Sequence, residues 1–353
     1  MSLLVLFVLA VCAAAATWLG CRGLIAAGVA DAPDHKRKAH RDPVPTSGGL
    51  AVMLGASVAM LLAIWAARDF WSGDAAPASA LRVAAAWACG LLMMVLGFVD
   101  DVYDMRAKPK FGLMAVLCLV FAIYATHVSE LQLWPGVTLH FGPVFGVLGT
   151  AAWLFVMTNG VNFMDGANGI SMGSSAIGLF ALSLYAWWGG APAPAVAALL
   201  LAAALVGFLV WNFPNGKIFA GDAGSLFIGF MAGALSLIAI RDAQMPVLLA
   251  PLLFLPLLAD VILTVVWRAR RKRNLLQAHR DHLYQVAIRA GSTHKRIAIA
   301  YWLAMSQCAL AAAVSLVFPF EGSTSAFFVS VLLFSYLAFH GRKFASAHGY
   351  DAP

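Results

Sequence analysis

Charge is scarce in this chain of 353 residues: only 11% is Asp, Glu, Lys or Arg, while 62% is hydrophobic. That balance excludes a water-soluble globular protein, whose surface needs far more polar groups to cover a core of such size. Cysteine is scarce too. Cys12, Cys21, Cys89, Cys118 and Cys308 fall in or beside apolar runs without ligand spacing, which excludes a disulfide framework and a thiolate metal site and leaves them as small packing residues. No linker composition interrupts the chain and no repeat recurs at fixed period, so one integral-membrane domain spanning 1–353 is predicted. No basic residue precedes the first apolar run, Leu3 to Leu19, and the cations begin only at Arg22. This run therefore reads as a retained helix with its N-terminus outside rather than as a cleaved leader.

What the chain does have is a succession of apolar runs, each close to the roughly 20 residues that cross a bilayer as a helix. They begin near residues 2, 47, 83, 111, 144, 171, 195, 225, 246, 298 and 324. The fold class predicted is all-α: a polytopic membrane bundle of about 11 transmembrane helices, N-terminus outside and C-terminus cytosolic. This threading puts every one of the 23 Lys and Arg residues on one side except Arg68, Arg82 and Arg241, which marks that side as the cytosol. The net charge of +7 is then explained by topology, and no nucleic-acid partner is implied. Outward connections are short. In 127–143, "LQLWPGVTLHFG" alternates around Pro135-Gly136 and reads either as a small hairpin or as an irregular connector.

The inward loops, 22–46, 100–110, 159–170, 214–224 and 268–297, carry the chemistry. Carboxylates beside a membrane are costly, yet three groups of them fall at this one mouth: Asp100-Asp101 with Asp104, Asp165 in "NFMDGANG", and Asp222 in "GDAGS". Together they suggest a divalent-metal site acting on something lipid-bound. Adjacent Asp100 and Asp101 cannot share a helical face, so one can take a metal while the other positions a headgroup or a basic side chain. Lys108 and Lys110 follow, and cations beside paired carboxylates suit an anionic substrate with bound magnesium. Asn162 and Asp165 stand at i, i+3, able to face one ligand. Asp222 reads either as an N-cap or as a metal-holding carboxylate at a helix start, where Gly221 permits close backbone approach.

Two further features are less local. "NLLQAHRDHLYQVAI" places Leu276, Leu283 and Ala287 near one helical face, which suits an amphipathic interfacial helix, the alternative being a solvated basic loop. His279 and His282, with Arg280 between them, lack the i, i+4 spacing of a zinc helix and suit hydrogen bonding to a pyrophosphate. Asp260 is the one acid inside a span, either functional or paired internally to organise the bundle.

The order "PVPTSGG" (Pro43 to Gly49), "GFVDD" (Gly97 to Asp101), "NFMDGANG" (Asn162 to Gly169), "GDAGS" (Gly221 to Ser225) and "AHRDHLYQ" (Ala278 to Gln285) resembles the polyprenyl-phosphate N-acetylhexosamine-1-phosphate transferases, the family with MraY-type and WecA-type members. The resemblance runs from about Asp31 to Gln285 and leaves the last two helices unsupported. It implies transfer of a sugar 1-phosphate from a UDP-amino sugar to undecaprenyl phosphate at the cytosolic leaflet of a bacterial inner membrane, with release of UMP. By that likeness Asp100, Asp101 and Asp165 match catalytic acids, and Asp222 is the firmest magnesium ligand with Asp101 beside it. Lys110 and His282 become phosphate and pyrophosphate contacts. Asn162, His279, Arg280, Lys108 and Gly221 fall among the substrate-binding positions. Magnesium is the implied cofactor, with manganese as the alternative ion, and a homodimer is allowed for as the assembly.

Departures narrow the likeness. MraY-type members carry Asp where this chain has Asn168 and three consecutive histidines where it has "HRDHLYQ", which argues against a peptidoglycan substrate. WecA-type members keep His-x-His, whereas Tyr284 stands at the second His here. The pattern is most similar to O-antigen-initiating members of the WbpL kind, which take UDP-GlcNAc, UDP-GalNAc or UDP-FucNAc. A secondary transporter is the rival class, but its carboxylates belong at the midplane rather than at one mouth. A CDP-alcohol phosphotransferase needs Asp-x-x-Asp-Gly, and position 162 is Asn.

Overall fold

In a bilayer core every backbone N–H and C=O must be satisfied within the chain, so long apolar segments resolve as helices. The computed structural model describes residues 1–28, 44–66, 76–275, 277 and 279–350. Asp31, Pro43, Arg68, Leu276 and Ala278, named in the sequence reading, and the inward-loop cations Lys36, Arg37 and Lys38 lie outside the described residues. The helices are α1 (Leu3–Ala26), α2 (Gly48–Ala66), α3 (Ala76–Tyr103), α4 (Ala107–Tyr124), α5 (Gly142–Phe163), α6 (Ile170–Trp188), α7 (Pro192–Asn212), α8 (Gly221–Asp242), α9 (Leu249–Leu253), α10 (Leu255–Arg270), α11 (Leu283–Arg289), α12 (His294–Ala312) and α13 (Pro319–Ala347). Ten helices among the described residues are long and apolar enough to cross a membrane. The run beginning near 246 is instead the broken pair α9 and α10. Pro256 has no N–H to give to the carbonyl four residues back, so the ladder cannot pass through Phe254 unbroken.

Helix ends follow the local chemistry. Proline opens α5, α7, α10 and α13, where its missing donor costs nothing. Thr293 caps α12 by accepting the Arg296 N–H at 3.2 Å. Between α4 and α5 the chain forms the hairpin, with β1 (Glu130–Trp134) antiparallel to β2 (Val137–His140) and Glu130 opposite His140. Gly136 supplies the positive φ the turn needs. Thr324 of α13 donates to the Leu133 carbonyl at 2.8 Å and ties the hairpin down.

Helix α8 is the hub. In its most apolar stretch 94% of residues are buried, against 22% in α1, and it packs on α2, α3, α5, α6 and α7. Its small residues explain the fit: a Cβ added to Gly224 would stand 2.6 Å from the Gly49 Cα, so α2 and α8 touch backbone to backbone. The same approach is laced by hydrogen bonds from Phe219 N–H to the Pro45 carbonyl (2.8 Å) and from Gly48 N–H to the Phe219 carbonyl (2.9 Å). At the far end of α8, Asp242 accepts from Arg82 (2.7 Å) and Ser79 (2.5 Å) of α3. Large apolar side chains such as Leu3, Phe7, Val144, Phe145 and Leu332 remain exposed on the outer helices, as lipid-facing surface requires.

The amphipathic helix drawn over 274–288 is shorter than its apolar spacing suggested. Among the described residues of that stretch the helix is Leu283–Arg289, and His282 is extended at φ −61°, ψ 145°. The side chain of Asp281 is drawn to Arg268 at the end of α10, which fixes the backbone just before the helix away from helical register.

Candidate functional site

The three acidic motifs converge. Asp100, in the last turn of α3, accepts the Met105 N–H at 2.8 Å and so shapes the turn into α4. Its second oxygen accepts from Lys110 Nζ at 2.6 Å, and the same ammonium reaches Asp222 at 2.5 Å. Lys110 is 7% exposed, and an ammonium this enclosed needs such partners. The other oxygen of Asp222 accepts from Asn162 Nδ2 at 2.9 Å, and Asn162 also meets Ser225 at 2.9 Å. Helices α3, α4, α5 and α8 thus share one chain of charge-assisted hydrogen bonds.

Asp101 faces elsewhere, as adjacent residues on a helix must. Its two oxygens accept the backbone N–H groups of Asp222 and Ala223, both at 3.1 Å. The cap of α8 is therefore a side chain from another helix, and the reading of Asp222 itself as the N-cap is corrected: Asp222 lies inside the first turn, after Ala220 at the cap position. Gly221 has φ +71°, and a Cβ there would stand 2.7 Å from Asp101 Oδ2, so glycine is what lets the two helices meet.

Asp165 occupies the turn between α5 and α6 and accepts from the Ser171 hydroxyl. Burial is the main reason its carboxyl is pushed up to about 8, with the fields of Asp222 and Asp101 adding to it. The turn is held by two amides the sequence reading did not single out as ligands: Asn168 donates to the Pro214 carbonyl at 2.8 Å, and Asn212 accepts the Gly169 N–H at 2.8 Å. The only advance signal for Asn212 is its place just before the Phe213-Pro214-Asn215-Gly216 turn.

The histidine segment packs against the same turn. The His282 ring lies 6.0 Å from that of Phe163, and the Tyr284 hydroxyl donates to the Phe163 carbonyl at 3.1 Å. His282 is 4% exposed, with Nδ1 3.5 Å from Asp260. Asp260 accepts the N–H groups of Leu283 (2.8 Å) and Tyr284 (3.2 Å), capping α11 from within the bundle, and its pairing with internal polar groups is the organising role foreseen as one alternative. His279 sits 5.2 Å from His282, ring to ring. Burial, then the charges of His282 and Arg268, hold its imidazole down to about 4, so it stands neutral at neutral pH. Desolvation of Asp281 would raise its carboxyl, but Arg268 outweighs it and the net direction is down. Lys108 and Arg280 are exposed at the rim.

Among the described residues no three Asp, Glu, His or Cys side chains form a ready-made metal cage. The donor set still suits a hard cation. All the acids at this mouth offer oxygen: Asp100 and Asp222 share the ammonium of Lys110, Asp101 stands beside them, and Asp165 keeps its proton to higher pH. Magnesium usually binds through one or two carboxylates plus substrate phosphates rather than in an all-protein cage.

A family model described as glycosyl transferase family 4 matches residues 83–240, a stretch that contains the whole acidic cluster and stops short of the histidine segment. The decaprenyl-phosphate N-acetylglucosaminephosphotransferase of Mycolicibacterium smegmatis is 31% identical over 309 residues, covering 80% of this chain and 74% of that protein. A probable undecaprenyl-phosphate N-acetylglucosaminyl 1-phosphate transferase of Bacillus subtilis is 27% identical over 78% of this chain and 74% of its own length. The phospho-N-acetylmuramoyl-pentapeptide-transferase of Chlorobaculum parvum is 28% identical over 77% and 79% respectively.

Proposed function

The chain belongs to glycosyl transferase family 4, and from that premise we propose that it moves a sugar 1-phosphate from a UDP-N-acetyl-amino sugar onto undecaprenyl phosphate, releasing UMP. The observation that carries this reading is the Asp100–Lys110–Asp222–Asn162 chain, which assembles an ammonium and several carboxylates from separate helices at one end of a membrane bundle. A phosphate oxygen of the lipid attacks the β-phosphorus of the donor. The bond between that phosphorus and the bridging oxygen breaks, and the oxygen leaves with UMP. The lipid phosphate, with a second pKa of about 6, is already largely ionised at neutral pH and needs little help from a base.

Lys110 is the donor placed to follow the transferred phosphoryl group, exchanging a carboxylate partner for a phosphate oxygen. When bound, magnesium would neutralise phosphate charge, and Asp222 with Asp101 are the residues that would hold it, since each carboxylate oxygen keeps a lone pair beyond its N–H bond. Manganese is the alternative ion. His282 offers the donor pyrophosphate a hydrogen bond, with Asn162 and Gly221 lining the same mouth. Asp100 orients Lys110.

The acceptor, the excess of cations beside the site and the membrane helices together support a multi-pass protein of the bacterial inner membrane with this mouth in the cytosol. The histidine segment, with Tyr284 where WecA-type members carry the second histidine, favours a member that initiates O-antigen or a related surface polysaccharide. Purified protein in detergent, given magnesium, undecaprenyl phosphate and labelled UDP-GlcNAc, UDP-GalNAc or UDP-FucNAc, should form a lipid-linked sugar diphosphate from one of them. Failure with every donor would overturn the reading, and survival of activity without a gradient separates it from transport.

A further inference from the structure

The histidine segment is held by its own helix, where Gln285 accepts the His282 N–H at 3.2 Å, and by side chains from α10, α12 and α13. Arg342, near the end of α13, is 8% exposed. Its guanidinium donates to the Asp281 carbonyl at 2.9 Å and to the Thr264 hydroxyl at 2.7 Å, and it lies 4.3 Å over the Trp267 ring. Thr264 in turn donates to Asp260 at 3.1 Å, and Tyr301 of α12 donates to the other oxygen of Asp260 at 2.6 Å. Asp260 holds the Leu283 and Tyr284 N–H groups and faces His282. The bonds therefore run from Arg342 through Thr264 to Asp260, are braced by Tyr301, and end at the histidine that packs on Phe163. Burying a guanidinium is costly unless its hydrogen bonds are met, and neither helix formation nor topology asks for one here, because exposed Lys343 already supplies a cation beside it.

We propose that Arg342 and Tyr301, both beyond the residues matched by the family model, are positioning residues that hold His282 at the acidic mouth. This inference rests on the reading of His282 as a donor-pyrophosphate contact. A latch of this kind acts on reaction geometry, where a displacement near 1 Å costs about a hundredfold in rate. It also gives the last two helices a part in transfer, although they contribute nothing to the acidic cluster.

The test is a double-mutant kinetic cycle in detergent, joined to backbone hydrogen exchange over 279–289. Arg342→Met and Tyr301→Phe should each lower kcat about ten- to hundredfold, leave the KM for undecaprenyl phosphate unchanged and speed exchange at Leu283 and Tyr284. Arg342→Lys should recover part of the loss. In a His282→Ala background both substitutions should become nearly silent. Equal losses with and without His282, or unchanged exchange at 279–289, would overturn the latch. A wild-type protein that transfers no sugar phosphate would instead overturn the proposed function, and the exchange measurement would still decide whether the latch exists.

Discussion

Asp101 accepts the backbone N–H of Asp222 at 3.1 Å, so the acid that ends one membrane helix is the cap that begins another. The neighbouring acid, Asp100, does different work through Lys110. Two adjacent carboxylates thus divide into a fastener and a charge partner, and substitution should separate them.

Asp222→Asn replaces a carboxylate that faces Lys110 and Asn162 with an amide, a much poorer partner for either an ammonium or a divalent ion. Turnover should fall by at least about a thousandfold with the fold intact. Asp101→Asn still accepts one of its two N–H bonds, so it should lower stability by about 1 kcal/mol of capping, seen as a lower melting temperature, and leave more activity than Asp222→Asn. Assays and thermal unfolding on the same preparations check both halves, and equal residual activity would count against the division.

Lys110→Met leaves Asp100 and Asp222 facing each other without the intervening ammonium. Stability in detergent should drop by roughly 3 kcal/mol, the lower end for breaking an enclosed pair, and transfer should be lost. Adding Asp100→Asn should restore much of the stability and none of the activity. Thermal inactivation curves of the single and double variants supply the comparison.

His279 is held down to about 4, well below the ordinary imidazole value of 6.5. An unfolded chain binds a proton there between those values and the folded chain does not, so the stability contribution is present above pH 6.5 and lost as pH falls through 4. Melting temperature should fall on acidification across this window, and His279→Gln should flatten that part of the slope.

The proposed reaction breaks one pyrophosphate linkage and makes another, leaving little driving force either way. Labelled UMP should therefore exchange into UDP-sugar when polyprenyl phosphate is present. Exchange that runs equally well without the acceptor would replace direct displacement with a covalent phospho-enzyme.

Much of this arrangement was legible from residue order. Ten of the eleven apolar runs, the hairpin that was one of two readings around Pro135-Gly136, and acids gathered at one mouth all depend on local pattern, and the structure has the corresponding elements among the described residues. The break at Phe254 was not read, although Pro251 and Pro256 stood in that run. Pattern also overran the amphipathic helix, because apolar spacing says nothing of the pull between Asp281 and Arg268. The partners inside the site were beyond reach for another reason. Which oxygen of Asp101 meets which N–H depends on how closely α3 can approach α8, a matter of Gly97, Gly221 and tertiary packing. Arg342 and Tyr301 carried no signal, since a lone cation near a helix end reads as topology and a lone tyrosine as packing.

The burial of α8 bears on how the protein is made. It is the eighth long helix to emerge among the described residues, yet most of the neighbours that enclose it, α2, α3, α5, α6 and α7, are synthesised earlier, and only the short α9 follows it. Those spans must be in the bilayer with a slot still open, and α8 must pass from lipid into that slot late in insertion. Until it arrives, Lys110 has Asp100 but not Asp222, and Asp101 has no helix to cap. The acidic cluster is thus completed at a single step of biogenesis, the docking of one helix of nascent chain among helices already in place.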